Sequence, residues 1–118
     1  MNTVLIVDDS KTSRYMLRTI LIENGYDVIA EAENGLEGYE KYCELKPDLV
    51  TLDITMPVMD GIETLVKIKE YDMAAKVIMV TAAGQKGKML DAIKLGAAEF
   101  VTKPFETNQI IRIIESIL

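Results

Sequence analysis

Asp8, Asp9 and Asp53 are placed to do chemistry, because each closes a short apolar run. Asp8 and Asp9 follow Val4-Leu5-Ile6-Val7, and Asp53 follows Leu49-Val50-Thr51-Leu52. Runs of this length and composition read as buried strands, and a carboxylate at the end of a strand is delivered to the edge of a sheet. Two such strands side by side gather the three acids in one crevice, where they repel one another unless a cation lies between them. Thr81 closes a third run, Lys76-Val77-Ile78-Met79-Val80, and Lys103 closes a fourth, Phe100-Val101-Thr102. An acidic cluster, a hydroxyl and an amine at the same end of one sheet suit phosphoryl transfer, which asks a protein mainly for position and for charge around the phosphorus oxygens.

Magnesium is the cation that these donors fit, since it takes carboxylates, a carbonyl and several waters. Asp9 and Asp53 read as direct ligands, Asp8 as a ligand directly or through water, and the Thr55 backbone carbonyl can turn back toward the ion. Asp53 is ionised at neutral pH and can attack phosphorus without a general base, giving an aspartyl phosphate. Lys103 adds positive charge and Thr81 a hydrogen bond. Taken singly, each residue has an ordinary reading: a terminal Asp as a helix cap, Lys103 as a solvated charge, Thr81 as a good strand former. It is the conjunction that carries weight. Pro104 directly after Lys103 adds to it, because a cis bond in a tight turn can aim the lysine.

The chain has 118 residues and reads as one domain, residues 1–118. Its net charge of −6 argues against nucleic acid as a partner. No apolar stretch approaches the ~20 residues of a membrane span, and the first apolar run meets two acids too early for a signal peptide. A cytoplasmic monomer is therefore expected. The absence of histidine removes imidazole bases, histidine metal ligands and Ser-His or Cys-His pairs. Cys43, the only cysteine, falls with Leu36 and Tyr39 on what reads as the apolar side of a helix, as a small buried hydrophobe. The seven methionines read as core filler.

Strand-like and helix-like stretches alternate five times. Strands are expected over Val4–Asp8, Asp27–Ala32, Leu49–Asp53, Val77–Thr81 and Glu99–Lys103. Ser10 caps a first helix that ends at Asn24-Gly25, and Asn34 caps a second, stopped by Pro47. A turn-rich loop from Met56 to Gly61 precedes a third helix, to about Glu70. Gly84–Gly87 reads as a flexible turn before a fourth helix, from about Lys88 to Leu95. Ile110, Ile111, Ile113, Ile114 and Ile117 make the stripe of a fifth. This alternation implies an α/β fold: a flavodoxin-like, doubly wound, five-stranded parallel sheet in the order 2-1-3-4-5 with five helices. Strands one and three are then neighbours, and the acids lie where strand order reverses, the usual ligand position of such sheets.

Val7-Asp8-Asp9-Ser10, Asp53-Ile54-Thr55-Met56-Pro57 with Met59-Asp60-Gly61, Thr81-Ala82 and Lys103-Pro104-Phe105 together resemble the receiver domains of two-component response regulators. The resemblance covers the whole chain. It implies that Asp53 accepts a phosphoryl group from a sensor histidine kinase, with magnesium held by Asp8, Asp9, Asp53 and the Thr55 carbonyl. It also implies a stoichiometric phosphoacceptor rather than an enzyme, Thr81 and Phe100 as a switch pair, and a cis Lys103–Pro104 bond. Within the family the Asp-Ile-Thr-Met-Pro wording, Ala-Ala-Gly-Gln at 82–85 and an end just past the last helix are most like stand-alone chemotaxis regulators. Their partners would be a chemotaxis-type kinase, the flagellar motor switch and a phosphatase. In the family, the residues two past the acceptor and two past the switch threonine influence phosphate lifetime. Here these are Thr55 and Ala83, neither with an amide or carboxylate, so slow loss of phosphate is expected without a phosphatase.

The switch has a physical form. A phosphoryl group on Asp53 draws the Thr81 hydroxyl inward, which frees space that Phe100 can enter, and the surface of helix four, strand five and helix five changes its preference for partners. Lys86, Lys88 and Lys94 can steer an acidic partner to that face. Rival readings fit less well. A flavin module needs a Ser/Thr/Gly-rich loop after strand one, where Asp8-Asp9 stand instead. A haloacid-dehalogenase-type hydrolase expects a second acid two residues after its nucleophile, and Thr55 stands there. A receiver working without phosphate would not need the full set of residues. A single-domain phosphorelay carrier, or the receiver part of a longer regulator, is the remaining alternative.

Overall fold

The protein is described from a computed structural model covering residues 1–82 and 84–118. Five strands alternate with five helices: β1 Thr3–Val7, α1 Lys11–Glu23, β2 Asp27–Ala32, α2 Gly35–Leu45, β3 Leu49–Asp53, α3 Gly61–Tyr71, β4 Val77–Thr81, α4 Lys86–Lys94, β5 Glu99–Thr102 and α5 Thr107–Ile117. The strands form one parallel sheet in the order β2-β1-β3-β4-β5, the doubly wound arrangement anticipated from the alternation. β3 and β4 are buried at every position, as strands covered on both faces should be.

Side chains of alternate strand residues face opposite layers. Leu5, Val7, Val50, Leu52, Val77 and Met79 pack with Tyr42, Leu65, Ile68 and Ala92 from α2, α3 and α4. Val4, Ile6, Leu49, Ile78, Val80 and Val101 pack with Leu17, Leu21, Ile110 and Ile114 from α1 and α5. The register brings the carboxyl ends level: Val7 pairs with Leu52, Asp53 with Val80, and Thr81 with Thr102.

Several local expectations are corrected. β1 stops at Val7 and β5 at Thr102, so Asp8 and Lys103 lie one residue beyond their strands, in the loops. α2, by contrast, stops at Leu45 as the Pro47 signal implies, with the left-handed Lys46 (φ 46°) as its C-cap and the proline ring disfavouring helical geometry in the residue before it. α4 starts at Lys86 and takes in Gly87, not at Lys88 after a turn over Gly84–Gly87. The face of α2 also differs. Gly35, Gly38 and Tyr42 are its buried residues, Cys43 and Tyr39 are only half-buried, and Leu36 is exposed. The reason is close approach: a Cβ on Gly38 would lie 2.8 Å from both Val7 methyls, and one on Gly35 would lie 2.3 Å from the Met59 carbonyl oxygen. The methionines divide too. Met56 and Met79 are buried, whereas Met1, Met16 and Met73 are exposed and fill no core.

Candidate functional site

The three acids converge. Asp8, Asp9 and Asp53 each offer a carboxylate oxygen, and these oxygens all lie within 4.8 Å of one another. Asp8 and Asp53 are buried and Asp9 is exposed, so the cluster has one open side. The first loop holds Asp8 firmly. The Asp8 backbone N–H donates to the Ala32 carbonyl at 3.0 Å, its Oδ1 accepts from the Ser10 N–H at 2.8 Å, and Ser10 Oγ accepts from Ser13 N–H at the start of α1. Asp53 is the last residue of β3, and its approach is shaped by glycine. A Cβ on Gly61 would fall 2.1 Å from the Asp53 carbonyl oxygen, while the Gly61 N–H donates to the Ile54 carbonyl at 2.7 Å. Asp60 caps α3 by accepting from the Glu63 N–H at 2.9 Å, which anchors the far end of that loop.

Lys103 reaches into the cluster. Its Nζ lies 2.9 Å from Asp8 Oδ2 and 3.4 Å from Asp53 Oδ2, and the Lys103–Pro104 peptide is cis. Thr81 is buried and its hydroxyl donates to the Val101 carbonyl at 3.4 Å, a long bond. Phe100 is half-buried and packs against the layer that contains α2, α3 and α4. Thr55 is exposed beyond the end of β3. Ala83 lies outside the described residues.

The electrostatics are those of crowded carboxylates. Burial pushes the Asp53 carboxyl up from its ordinary 3.8 to about 6, the Asp8 charge pushes the same way, and Lys103 opposes both. Burial works against the charged Lys103 amine. Its hydrogen bond to Asp8 and the charges of Asp53 and Asp8 outweigh that, and hold it above its ordinary value. A cluster of hard oxygen donors with excess negative charge and one open side fits a small divalent cation such as magnesium. Two cavities, of about 300 Å³ beside Tyr42 and Asp72 and about 540 Å³ beside Val66 and Leu95, lie away from these acids and carry none of their chemistry.

Two residues of this neighbourhood escaped the reading of the sequence. Arg14, on α1, is 8 % exposed and donates through Nη1 to the Asp8 carbonyl at 2.6 Å, while pairing with Glu31 at 3.2 Å and Glu33 at 3.6 Å. Its position one turn after the Ser10 cap was a usable signal, since that places it back over the strand end. Gln85 sits just before α4, where its side chain accepts from the Ala82 N–H at 2.9 Å and donates to the Thr55 hydroxyl. No pattern in the sequence marks that bridge.

The fold and this cluster define a receiver, and the chain belongs to the response regulator receiver domain family, which matches residues 4–115. Among characterised relatives, the chemotaxis protein CheY of Listeria monocytogenes is 52% identical over 112 residues, spanning 95% of this chain and 94% of that protein. CheY of Bacillus subtilis is 50% identical over 115 residues, spanning 98% and 96%. In solved structures, a chain of the CheX-CheY-BeF3-Mg complex from Borrelia burgdorferi superposes with a TM-score of 0.94 at 39% identity, covering 98% of this chain and 88% of that one. The chain is thus a CheY-like receiver.

Proposed function

We propose that Asp53 is the phosphoacceptor of a two-component response regulator that works in chemotaxis. The observation that carries this reading is the convergence of Asp8, Asp9 and Asp53 within 4.8 Å, with the Lys103 amine on two of them. The phosphoryl donor is a histidine kinase: a carboxylate oxygen of Asp53 bonds to phosphorus as the phosphorus–nitrogen bond to the donor imidazole breaks. Asp8, Asp9, Asp53 and the Thr55 carbonyl are the groups that would hold magnesium, which when bound supplies positive charge to the phosphoryl oxygens and to the acids. Lys103 supports the same oxygens from the end of β5, and the Thr81 hydroxyl donates to them from the end of β4. The protein acts as a stoichiometric acceptor rather than as an enzyme.

Phosphorylation changes the surface of α4, β5 and α5 through Thr81 and Phe100. That surface carries exposed Lys86, Lys88 and Lys94 on a chain of net charge −6, which suits an acidic partner. The similarity to CheY proteins supports the flagellar motor switch as that partner and a cytoplasmic site of action. The occurrence of a CheY in complex with CheX in Borrelia burgdorferi supports a second protein that acts on the phosphorylated form. No helix among the described residues is long and apolar enough to cross a membrane.

The test is intact mass after incubation with acetyl phosphate, with and without magnesium, on wild type and Asp53→Asn. One phosphoryl adduct that needs both magnesium and Asp53 is expected. An adduct on Asp53→Asn, or none on wild type, would overturn the assignment.

A further inference from the structure

Gln85 spans the gap between two loops at the mouth of the site. Its Oε1 accepts from the backbone N–H of Ala82, one residue past β4, and its Nε2 donates to the hydroxyl of Thr55, two residues past Asp53. β3 and β4 are neighbours with Asp53 level with Val80, so these two loops leave the sheet side by side, directly beyond the acceptor. The bridge is unusual in what it forgoes. Gln85 is the residue before the first turn of α4, yet its side chain makes no hydrogen bond to that helix. Ser10, Asn34, Asp60 and Glu106 all cap the helices that they precede. Both polar ends of Gln85 are committed to the site instead.

We infer that Gln85 is a positioning residue for the phosphorylated acceptor, a side-chain strap that holds Thr55 and the β4–α4 loop together and limits the access of water to phosphorus. The inference rests on Asp53 being the phosphoacceptor. Hydrolysis needs a water in line with the bond to the Asp53 oxygen, and attack from the solvent side comes from beyond the carboxyl end of β3. An amide tied to loops on both sides of that approach restrains the space in which the water must align. Losing the strap therefore speeds phosphate loss, and leaves the acids, Lys103 and Thr81 in place. Because the strap is anchored at the first residue before α4, it also connects the state of the acceptor to the start of that helix.

The experiment measures decay of the adduct by intact mass, after acetyl phosphate is removed, for wild type, Gln85→Ala, Gln85→Met, Thr55→Val and the two Gln85/Thr55 double variants. Gln85→Met keeps the length of the side chain and loses both hydrogen bonds. A pair of ordinary hydrogen bonds suggests a two- to tenfold faster decay, to order of magnitude, in either Gln85 variant. Thr55→Val should reproduce part of that gain, and the double variants should decay no faster than the single Gln85 variants, since one strap cannot be cut twice. Thermal midpoints taken alongside separate this from loss of fold. Unchanged decay in both Gln85 variants, or fully multiplicative effects of Gln85 and Thr55, would overturn the strap. Failure of wild type to take any phosphoryl group would instead overturn the reading of Asp53, so the two failures are distinguishable.

Discussion

The Lys103 ammonium lies 2.9 Å from Asp8 Oδ2, so the amine at the end of β5 neutralises the acid at the end of β1 across the two intervening strands. The same amine is 3.4 Å from Asp53. It thus serves as the counter-charge of the cluster in the absence of a divalent ion, and a bound ion must share or displace it.

Lys103→Met should therefore bind magnesium more tightly. A unit positive charge a few ångströms from the ion disfavours it by several kcal/mol at the effective dielectric of a partly exposed site, and solvent screening reduces this to about 1–2 kcal/mol. The expected gain in affinity is about tenfold, read by calorimetric titration of the metal. Phosphorylation should nonetheless slow, since the amine is lost from the phosphoryl oxygens. Weaker magnesium binding by this variant would mean that Lys103 organises the acids more than it competes for them.

The raised pKa of Asp53 makes metal-free stability depend on pH. The folded carboxyl takes a proton at about 6, whereas in the unfolded chain it does so near 3.8. Between those values the fold binds more protons than the unfolded chain, so this contribution is complete below the lower value and is lost as pH rises through the upper one. Metal-free protein should gain on the order of 1–2 kcal/mol from this group between pH 7 and 4, against which other acids act. Urea unfolding of wild type and Asp53→Asn across that range isolates the Asp53 contribution as a difference. Parallel curves for the two proteins would remove it. Magnesium should flatten the difference at neutral pH by holding Asp53 ionised.

Gly61 ties the turn after β3 to Asp53 itself. A methyl group there would lie 2.1 Å from the Asp53 carbonyl oxygen and 2.8 Å from Ile54 Cα, both backbone atoms that cannot swing aside. Gly61→Ala should cost about 2 kcal/mol or more, read as a lower urea midpoint at unchanged slope. It should also slow phosphorylation by acetyl phosphate at saturating magnesium, because the displaced atoms carry the nucleophile. A stable variant with normal uptake would show that the α3 end of the loop can shift without moving Asp53.

Much of this arrangement was legible because it depends on period and punctuation. Strands such as Leu49–Asp53 and Val77–Thr81 are continuous apolar runs ending in a polar residue, and the caps Ser10 and Asn34 follow from the preferences of helix termini. The order of the sheet follows from connection rules once five alternating units are counted. What escaped depends on shape and on long side chains. The buried face of α2 is set by Gly35 and Gly38, which carry no hydrophobic signal and mark instead where backbone meets sheet. The start of α4 is hidden in the sequence because Gly87 is a poor helix former, tolerated here in open space. Arg14 and Gln85 act through contacts seventeen and thirty residues distant, to Glu31 and Thr55, and spacing alone does not reveal such contacts.

Thr81 and Phe100 provide the last prediction. The Thr81 hydroxyl has only a 3.4 Å bond to the Val101 carbonyl, a weak claim on a buried donor. A phosphoryl group on Asp53 would offer a charged acceptor, and charge-assisted bonds are about twice as strong as neutral ones. The hydroxyl should leave Val101 for that acceptor, and the half-buried Phe100 stands on the neighbouring strand, paired with Met79 two residues before Thr81. Thr81→Ala removes the donor but neither the nucleophile nor the acids, so uptake from acetyl phosphate should persist within about tenfold of wild type. The response of Phe100 should fall sharply, because the difference in free energy between its two positions no longer depends on the acceptor. Ring resonances of Phe100, followed by NMR with and without beryllofluoride, give the readout, and Thr81→Ser should restore most of the shift. A full Phe100 response in Thr81→Ala would place the coupling elsewhere, with the Gln85 bridge to α4 as the next connection to cut.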